Sequence, residues 1–157
     1  MKDKRTDASF IAIEKHDNEP IKALFTEVGI QAADRDGRTV LINASCYNNL
    51  ELIEWALKNG ADINHQDKGG FTALHFAVQE QYLEVVNFLI KNNITIDLQD
   101  KYGNTALWRA VMNGVSNEII AILLKNGANP NLQNKSEVAP IDLVDEEDFE
   151  LMNLFKI

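Results

Sequence analysis

A single cysteine, Cys46, stands in the 157-residue chain. It excludes an internal disulfide framework and leaves too few thiols for a cysteine-based zinc site, so a reducing cytoplasm is the expected compartment. Histidine is nearly as scarce. His16, His65 and His75 have no Cys, His or carboxylate at a spacing such as His-x3-His, and no metal is expected. Glycine-rich phosphate loops are missing too, since Gly69-Gly70 is the only glycine pair and no Gly-x-Gly-x-x-Gly or Gly-x4-Gly-Lys run occurs. Nor is there an apolar run near the roughly 20 residues needed to span a bilayer. The charged start Met1-Lys2-Asp3-Lys4-Arg5 leads into no such run, so neither signal peptide nor membrane span is expected.

Bases are outnumbered: 15 Lys and Arg against 24 Asp and Glu give a formal charge of −9. That charge repels phosphate backbones and anionic lipid at long range, which disfavours nucleic acid and membrane as partners and favours a basic protein. The acids are bunched. Asp142, Asp145, Glu146, Glu147, Asp148 and Glu150 follow one another with no base between them. The run reads either as a solvated end-cap helix with acids in its first turn, or as a contact surface for a cationic partner. Adjacent acids such as Glu146 and Glu147 point about 100° apart on a helix and make no acid–base pair. Cys46 has no neighbouring base to activate it. No catalytic residue and no cofactor is expected.

Against these absences stands a 45% hydrophobic content, enough for one domain if it is patterned. The pattern is a repeat. Lines beginning at Asp34, Asp67 and Asp100, 33 residues apart, superimpose: Asp34-Arg35-Asp36-Gly37-Arg38-Thr39-Val40-Leu41, Asp67-Lys68-Gly69-Gly70-Phe71-Thr72-Ala73-Leu74 and Asp100-Lys101-Tyr102-Gly103-Asn104-Thr105-Ala106-Leu107. Asp with Gly three residues on predicts a tight turn, and Thr predicts a helix cap. Short helices are then expected over about residues 41–47, 74–80 and 107–113, with Ala44, Ala77 and Ala110 where a neighbour must come close. Second helices carry Leu52, Ile53, Ala56 and Leu57, then Val85, Val86, Leu89 and Ile90, then Ile119, Ile120, Leu123 and Leu124, each one broad apolar face. Gly60, Asn93 and Gly127 occupy one position and tolerate positive φ, which suits a left-handed helix stop. Such helix pairs cannot bury their faces alone, so stacking must form one continuous core.

These residues resemble the ankyrin repeat, with Thr72-Ala73-Leu74-His75-Phe76-Ala77 the closest match to its Thr-Pro-Leu-His-x-Ala signature. The resemblance implies an all-α solenoid of helix–turn–helix units with short β-turn or hairpin tips and degenerate capping ends. Within one domain over 1–157, capping helices are expected in 1–33, repeats in 34–66, 67–99 and 100–133, and a degenerate cap in 134–157. Val40, Ala73 and Ala106 replace the usual proline, so Thr alone must start each helix. An extra residue within 114–118 predicts a loosened turn. In the last unit Pro140 suits a helix start, but Glu137 replaces Gly and Ala139 replaces Thr. Near the start, two helices are expected, with Pro20 in the first turn of the second and Asn18 as its cap.

In the family a partner meets the turn tips and the exposed side of the short helices. Carried over by position, the expected contact residues are Arg35, Asp36, Arg38, Lys68, Gly69, Phe71, Lys101, Tyr102 and Asn104 at the tips. On the short helices they are Cys46, Tyr47, Gln79, Glu80, Met112 and Asn113. Phe71, Tyr102, Tyr47 and Met112 are either binding hot spots or packing over neighbouring tips. His75 matches the signature histidine, whose usual task is to bond neighbouring turns. Trp108 takes its place in the next repeat and, like Trp55, reads as packing, although a buried indole N–H needs a partner. The resemblance implies a non-catalytic, monomeric protein-binding module. Small bacterial relatives include inhibitors that neutralise toxins, and an acidic inhibitor of a basic toxin would suit the charge. An enzyme or small-ligand carrier is the reading from another class and would require an enclosed pocket with convergent polar groups.

Overall fold

The structure is a computed structural model and describes residues 4–156. Thr39, Thr72 and Thr105 lie in extended backbone, and each Oγ1 accepts the N–H three residues on, from Ile42 (3.5 Å), His75 (3.4 Å) and Trp108 (3.1 Å). The capped helices are α4 (Val40–Cys46), α6 (Ala73–Gln79) and α8 (Ala106–Met112). They start one residue earlier than the sequence predicts, because Thr caps the residue directly after it. Each ends in a residue of positive φ, Asn48, Gln81 or Gly114, and the chain turns back into α5 (Leu50–Lys58), α7 (Leu83–Lys91) and α9 (Asn117–Lys125). These stop at Gly60, Asn93 and Gly127, with φ of 85°, 63° and 94°.

The inserted residue does not loosen its turn. Val115 is buried and donates to Ala110 O at 2.9 Å, while Ser116 N donates to Gln81 Oε1 of the preceding repeat at 3.0 Å. Before the first capped turn come three helices rather than two: α1 (Lys4–Ala8), α2 (Phe10–Glu14) and α3 (Asn18–Val28). Asn18 is not the cap of α3 but its first residue. Its Oδ1 instead accepts Asn49 Nδ2 at 2.7 Å, and Asn49 also donates to Ile13 O and caps α5 through Leu52 N. One fully buried amide thereby joins α2, α3 and α5.

In the last unit Ala139 has no hydroxyl to cap with, and Pro140–Leu143 winds only a 3-10 turn; Asp142 Oδ2 accepts Ala139 N at 2.8 Å in compensation. The bunched acids form no single helix. Asp145 Oδ1 accepts Glu147 N (2.9 Å) to make a turn, and Asp148 Oδ1 accepts Leu151 N (2.9 Å) to start α10 (Phe149–Leu154).

The core is one continuous stack. Ala44, Ala77 and Ala110 are fully buried where α4, α6, α8 and the 3-10 turn pack in a row. Leu52, Ile53, Ala56, Val85, Val86, Leu89, Ile119, Ile120 and Leu123 fill the layer between this row and the second helices. Full burial contributes about 1.5–3 kcal/mol for each large aliphatic chain. Leu57, Ile90 and Leu124 end half-buried. First helices touch their successors closely while second helices touch theirs much less, so the stack closes on the first-helix side and makes that side concave. Among the described residues no helix is long and apolar enough to cross a membrane.

Candidate functional site

Each tip is built around one acceptor oxygen. Asp34 Oδ1 takes the N–H of Asp36 and Arg38, both at 2.9 Å; Asp67 Oδ1 takes Gly69 and Phe71; Asp100 Oδ1 takes Tyr102 (2.8 Å) and Asn104 (3.0 Å). Asn134 Oδ1 does the same for Ser136 and Val138. Here Glu137 adopts φ of 63°, where the other three tips have glycine, and the turn closes all the same. Successive tips are bonded to one another by Lys68 N to Asp36 O (3.0 Å), Lys101 N to Gly69 O (2.9 Å) and Lys135 N to Tyr102 O (3.0 Å). Only glycine fits at position 70, where a Cβ would lie 2.7 Å from Lys101 N and φ is +80°.

A second ladder, unforeseen from the sequence, runs behind the tips. Gln66 Nε2 donates to Gly70 O and Gln99 O, and Gln99 Nε2 donates to Gly103 O and Gln133 O. A glutamine directly before Asp67, Asp100 and Asn134, at 66, 99 and 133, is the signal that would have revealed it; Asp34 is preceded by Ala33 instead.

The second carboxylate oxygens face inward. Asp34 Oδ2 accepts Asn43 Nδ2, Asp67 Oδ2 accepts Arg38 Nε at 3.4 Å, and Asp100 Oδ2 accepts Arg109 Nε at 2.8 Å as well as the Nη2 of the same guanidinium. The Asp100 side chain is completely buried. Burial alone would raise its pKa, but the Arg109 guanidinium and the N–H groups of Asn104 and Tyr102 outweigh burial and hold the carboxyl below its usual range.

This network rearranges the expected contact surface. Arg38 is bonded to Asp67 and stacks 4.6 Å over Phe76, so it forms floor rather than free tip. Phe71 packs on Phe76 and His75, with Arg109 4.3 Å above its ring, so it too forms floor beneath the tips. Asn104 is buried, and its Oδ1 accepts Asn134 Nδ2; it leaves the contact surface altogether. Cys46 and Tyr47 are half-buried, and Gly69 is partly covered. Arg35, Asp36, Lys68, Gln79, Glu80, Lys101, Tyr102, Met112 and Asn113 are exposed as expected. Sequence reasoning missed Phe10 and Ile11 on α2, whose large apolar side chains are also exposed.

Between the tips and α6 lies an open groove of about 400 Å³, bounded by Arg38, Lys68, Phe71, Phe76 and Gln79. A smaller hollow of about 170 Å³ lies nearer the start, between Phe10, Asp34, Arg35 and Tyr47. Neither holds an activated group. The Cys46 thiol is pushed up to about 12 by burial and stays protonated at neutral pH. His75 is buried and tied at both nitrogens. Thr72 N donates to Nδ1, which leaves the Nε2 proton directed at Asn104 O of the next repeat (3.3 Å). Trp108, in the matching position, makes no such bond, and its buried Nε1 has no partner. Among the described residues no group of three or more His, Cys, Asp or Glu could hold a metal ion.

Capped short helices, Asp-centred tips and a histidine linking consecutive turns are repeated in one register. A family model described as ankyrin repeats (3 copies) matches residues 9–100 and, overlapping it, 70–134. The chain belongs to the ankyrin-repeat family. The match begins at Ser9, just ahead of α2 and α3. Ankyrin repeats are in general protein–protein interaction modules and typically not catalytic. No curated protein matches the chain.

Proposed function

We propose that this ankyrin array holds a partner protein without catalysing a reaction. The contact surface is the exposed tips and first-helix ends: Arg35, Asp36, Lys68, Gln79, Glu80, Lys101, Tyr102, Met112 and Asn113, with Arg38, Cys46, Tyr47 and Phe71 as its floor. The observation that carries this reading is that Tyr102 and Met112 are 56% and 59% exposed on the side where the repeats pack most tightly. The fold does not need them there. Burying what remains exposed of each in a complex would contribute about 1–2 kcal/mol. Both grooves are open to solvent, which supports a protein contact over an enclosed small-ligand site.

The partner is charge-polarised in this reading. All six acids between 142 and 150 are exposed, which favours a cationic face on the partner near that end and suits a neutralising inhibitor of a basic toxin as a second reading. A cytoplasmic monomer completes the proposal. The test is affinity capture from the native cell with the wild-type chain, a Tyr102→Ala/Met112→Ala variant, and a variant with Asp145, Glu146 and Glu147 neutralised. A protein retained by wild type and lost from the first variant supports the concave surface. Equal retention by all three chains overturns it.

A further inference from the structure

The four tips carry a feature that the overall charge conceals. The residue after each turn Asp or Asn is basic, Arg35, Lys68, Lys101 and Lys135, and all four are exposed. The turn acids beside them are engaged inward: Asp67 and Asp100 are bonded to turn N–H groups through one oxygen and to Arg38 or Arg109 through the other. Asp34 is bonded in the same way to turn N–H groups and Asn43. A chain of formal charge −9 therefore presents a row of cations along one edge, opposed at the tips by the exposed Asp36 and Glu137 and by Asp7, whose Oδ1 accepts Arg35 N at the first tip (2.5 Å). Tip-to-tip hydrogen bonds hold the row in register.

The step along this row is set by packing of the short helices, roughly 8–10 Å for neighbouring helices. An extended segment in the polyproline II conformation has three residues per turn at about 3.1 Å each, so it advances about 9 Å per turn. Acids at every third residue of such a segment would meet one tip each. The residues between them would face the exposed ring of Tyr102, which lies beside the Lys101 ammonium (4.9 Å), and aromatic rings are the usual platform for polyproline segments.

We infer that the tip edge binds an extended acidic segment of the partner protein, with Asp or Glu at every third residue, paired to Arg35, Lys68, Lys101 and Lys135. This inference rests on the protein-binding reading above and names the chemistry recognised at the tips. The cationic edge and the acidic stretch at 142–150 give the array two poles, so the segment has one favoured direction and place.

The test uses fluorescein-labelled peptides and fluorescence anisotropy at low ionic strength. The probe is (Glu-Pro-Pro)4. Its controls are a peptide of the same composition with the glutamates in one block, (Lys-Pro-Pro)4, a helical peptide with glutamate at every seventh residue, and oligo-uridine. The spaced acidic peptide is expected to bind about tenfold more tightly than any control, and Lys68→Glu/Lys101→Glu is expected to weaken it by about tenfold or more. The neutral Lys101→Gln/Lys135→Gln variant should weaken it less, with circular dichroism unchanged. Equal binding of the blocked peptide, tighter binding of the helical peptide or of oligo-uridine, or indifference to the tip variants would overturn the inference. Capture of a partner that survives Lys68→Glu/Lys101→Glu but fails with Tyr102→Ala/Met112→Ala overturns it too, and leaves the protein-binding reading standing.

Discussion

Replacing Asp100 tests the tip architecture most directly. Its side chain is fully buried, Oδ1 accepts two turn N–H groups and Oδ2 accepts the Arg109 guanidinium. Asp100→Ala removes all of these acceptors. Hydrogen bonds to charged groups contribute about 1.5–3 kcal/mol each, and breaking a buried ion pair costs about 3–5 kcal/mol. Arg109 keeps 18% of its side chain in solvent and its stacking on Phe71, so water recovers part of the loss. The expected cost is about 3 kcal/mol, toward the low end of that range. Asp100→Asn should cost about half as much, because Asn134 forms the same turn through an amide oxygen, while the amide nitrogen would face Arg109. Urea unfolding followed by circular dichroism measures both. A loss below about 1 kcal/mol for the alanine variant, or equal losses for the two, would refute the division of labour between the oxygens. Asp100 also has a pH signature. Its native pKa is held down, so its ionic contribution is present above the unfolded value of 3.8 and is lost as pH falls through the lower native value. The gap between wild type and Asp100→Asn should close over that range.

Trp108→Phe removes a buried N–H that has no partner, so it should stay within about 1 kcal/mol of wild type in the same assay; a larger loss would show that the indole is bonded. Cys46, with its pKa raised to about 12, should resist thiol reagents at pH 8 until the protein is unfolded; rapid native labelling would contradict its burial. Burial depresses the pKa of His75, so below 6.5 the unfolded chain takes up a proton that the native one does not. Stability should therefore fall as pH drops below 6.5, by at most about 1.4 kcal/mol per pH unit from this one group, and His75→Asn should remove that slope.

Much of the fold was legible because each repeating residue has a local task. Thr caps, Gly or Asn takes positive φ, and apolar residues at helical spacing are buried where the pattern places them. The candidate surface was legible only by register. Position alone put Arg38, Phe71 and Asn104 among the exposed tip residues, but a part of their surroundings comes from residues 29 to 38 positions away, Asp67, Arg109 and Asn134. No local pattern announces such partners. The glutamine ladder is illegible for a related reason, since Gln66 and Gln99 each bond both their own turn and the glutamine carbonyl one repeat on.

By itself the sequence determined the period, the all-α class, the helix starts and stops, and the excess of acid. These follow from backbone preferences and from hydrophobic spacing, which act over a few residues. The direction in which each charge points was decided by the folded structure. Each tip carboxylate is turned inward by the N–H groups of its own turn and, at Asp34 and Asp100, by Asn43 and Arg109 on the helix that follows; stacking adds Arg38 of the preceding repeat to Asp67, and Arg35, Lys68, Lys101 and Lys135 are left outside. An acidic chain thereby acquires a basic edge, because burying a carboxylate demands donors while a lysine ammonium is best hydrated.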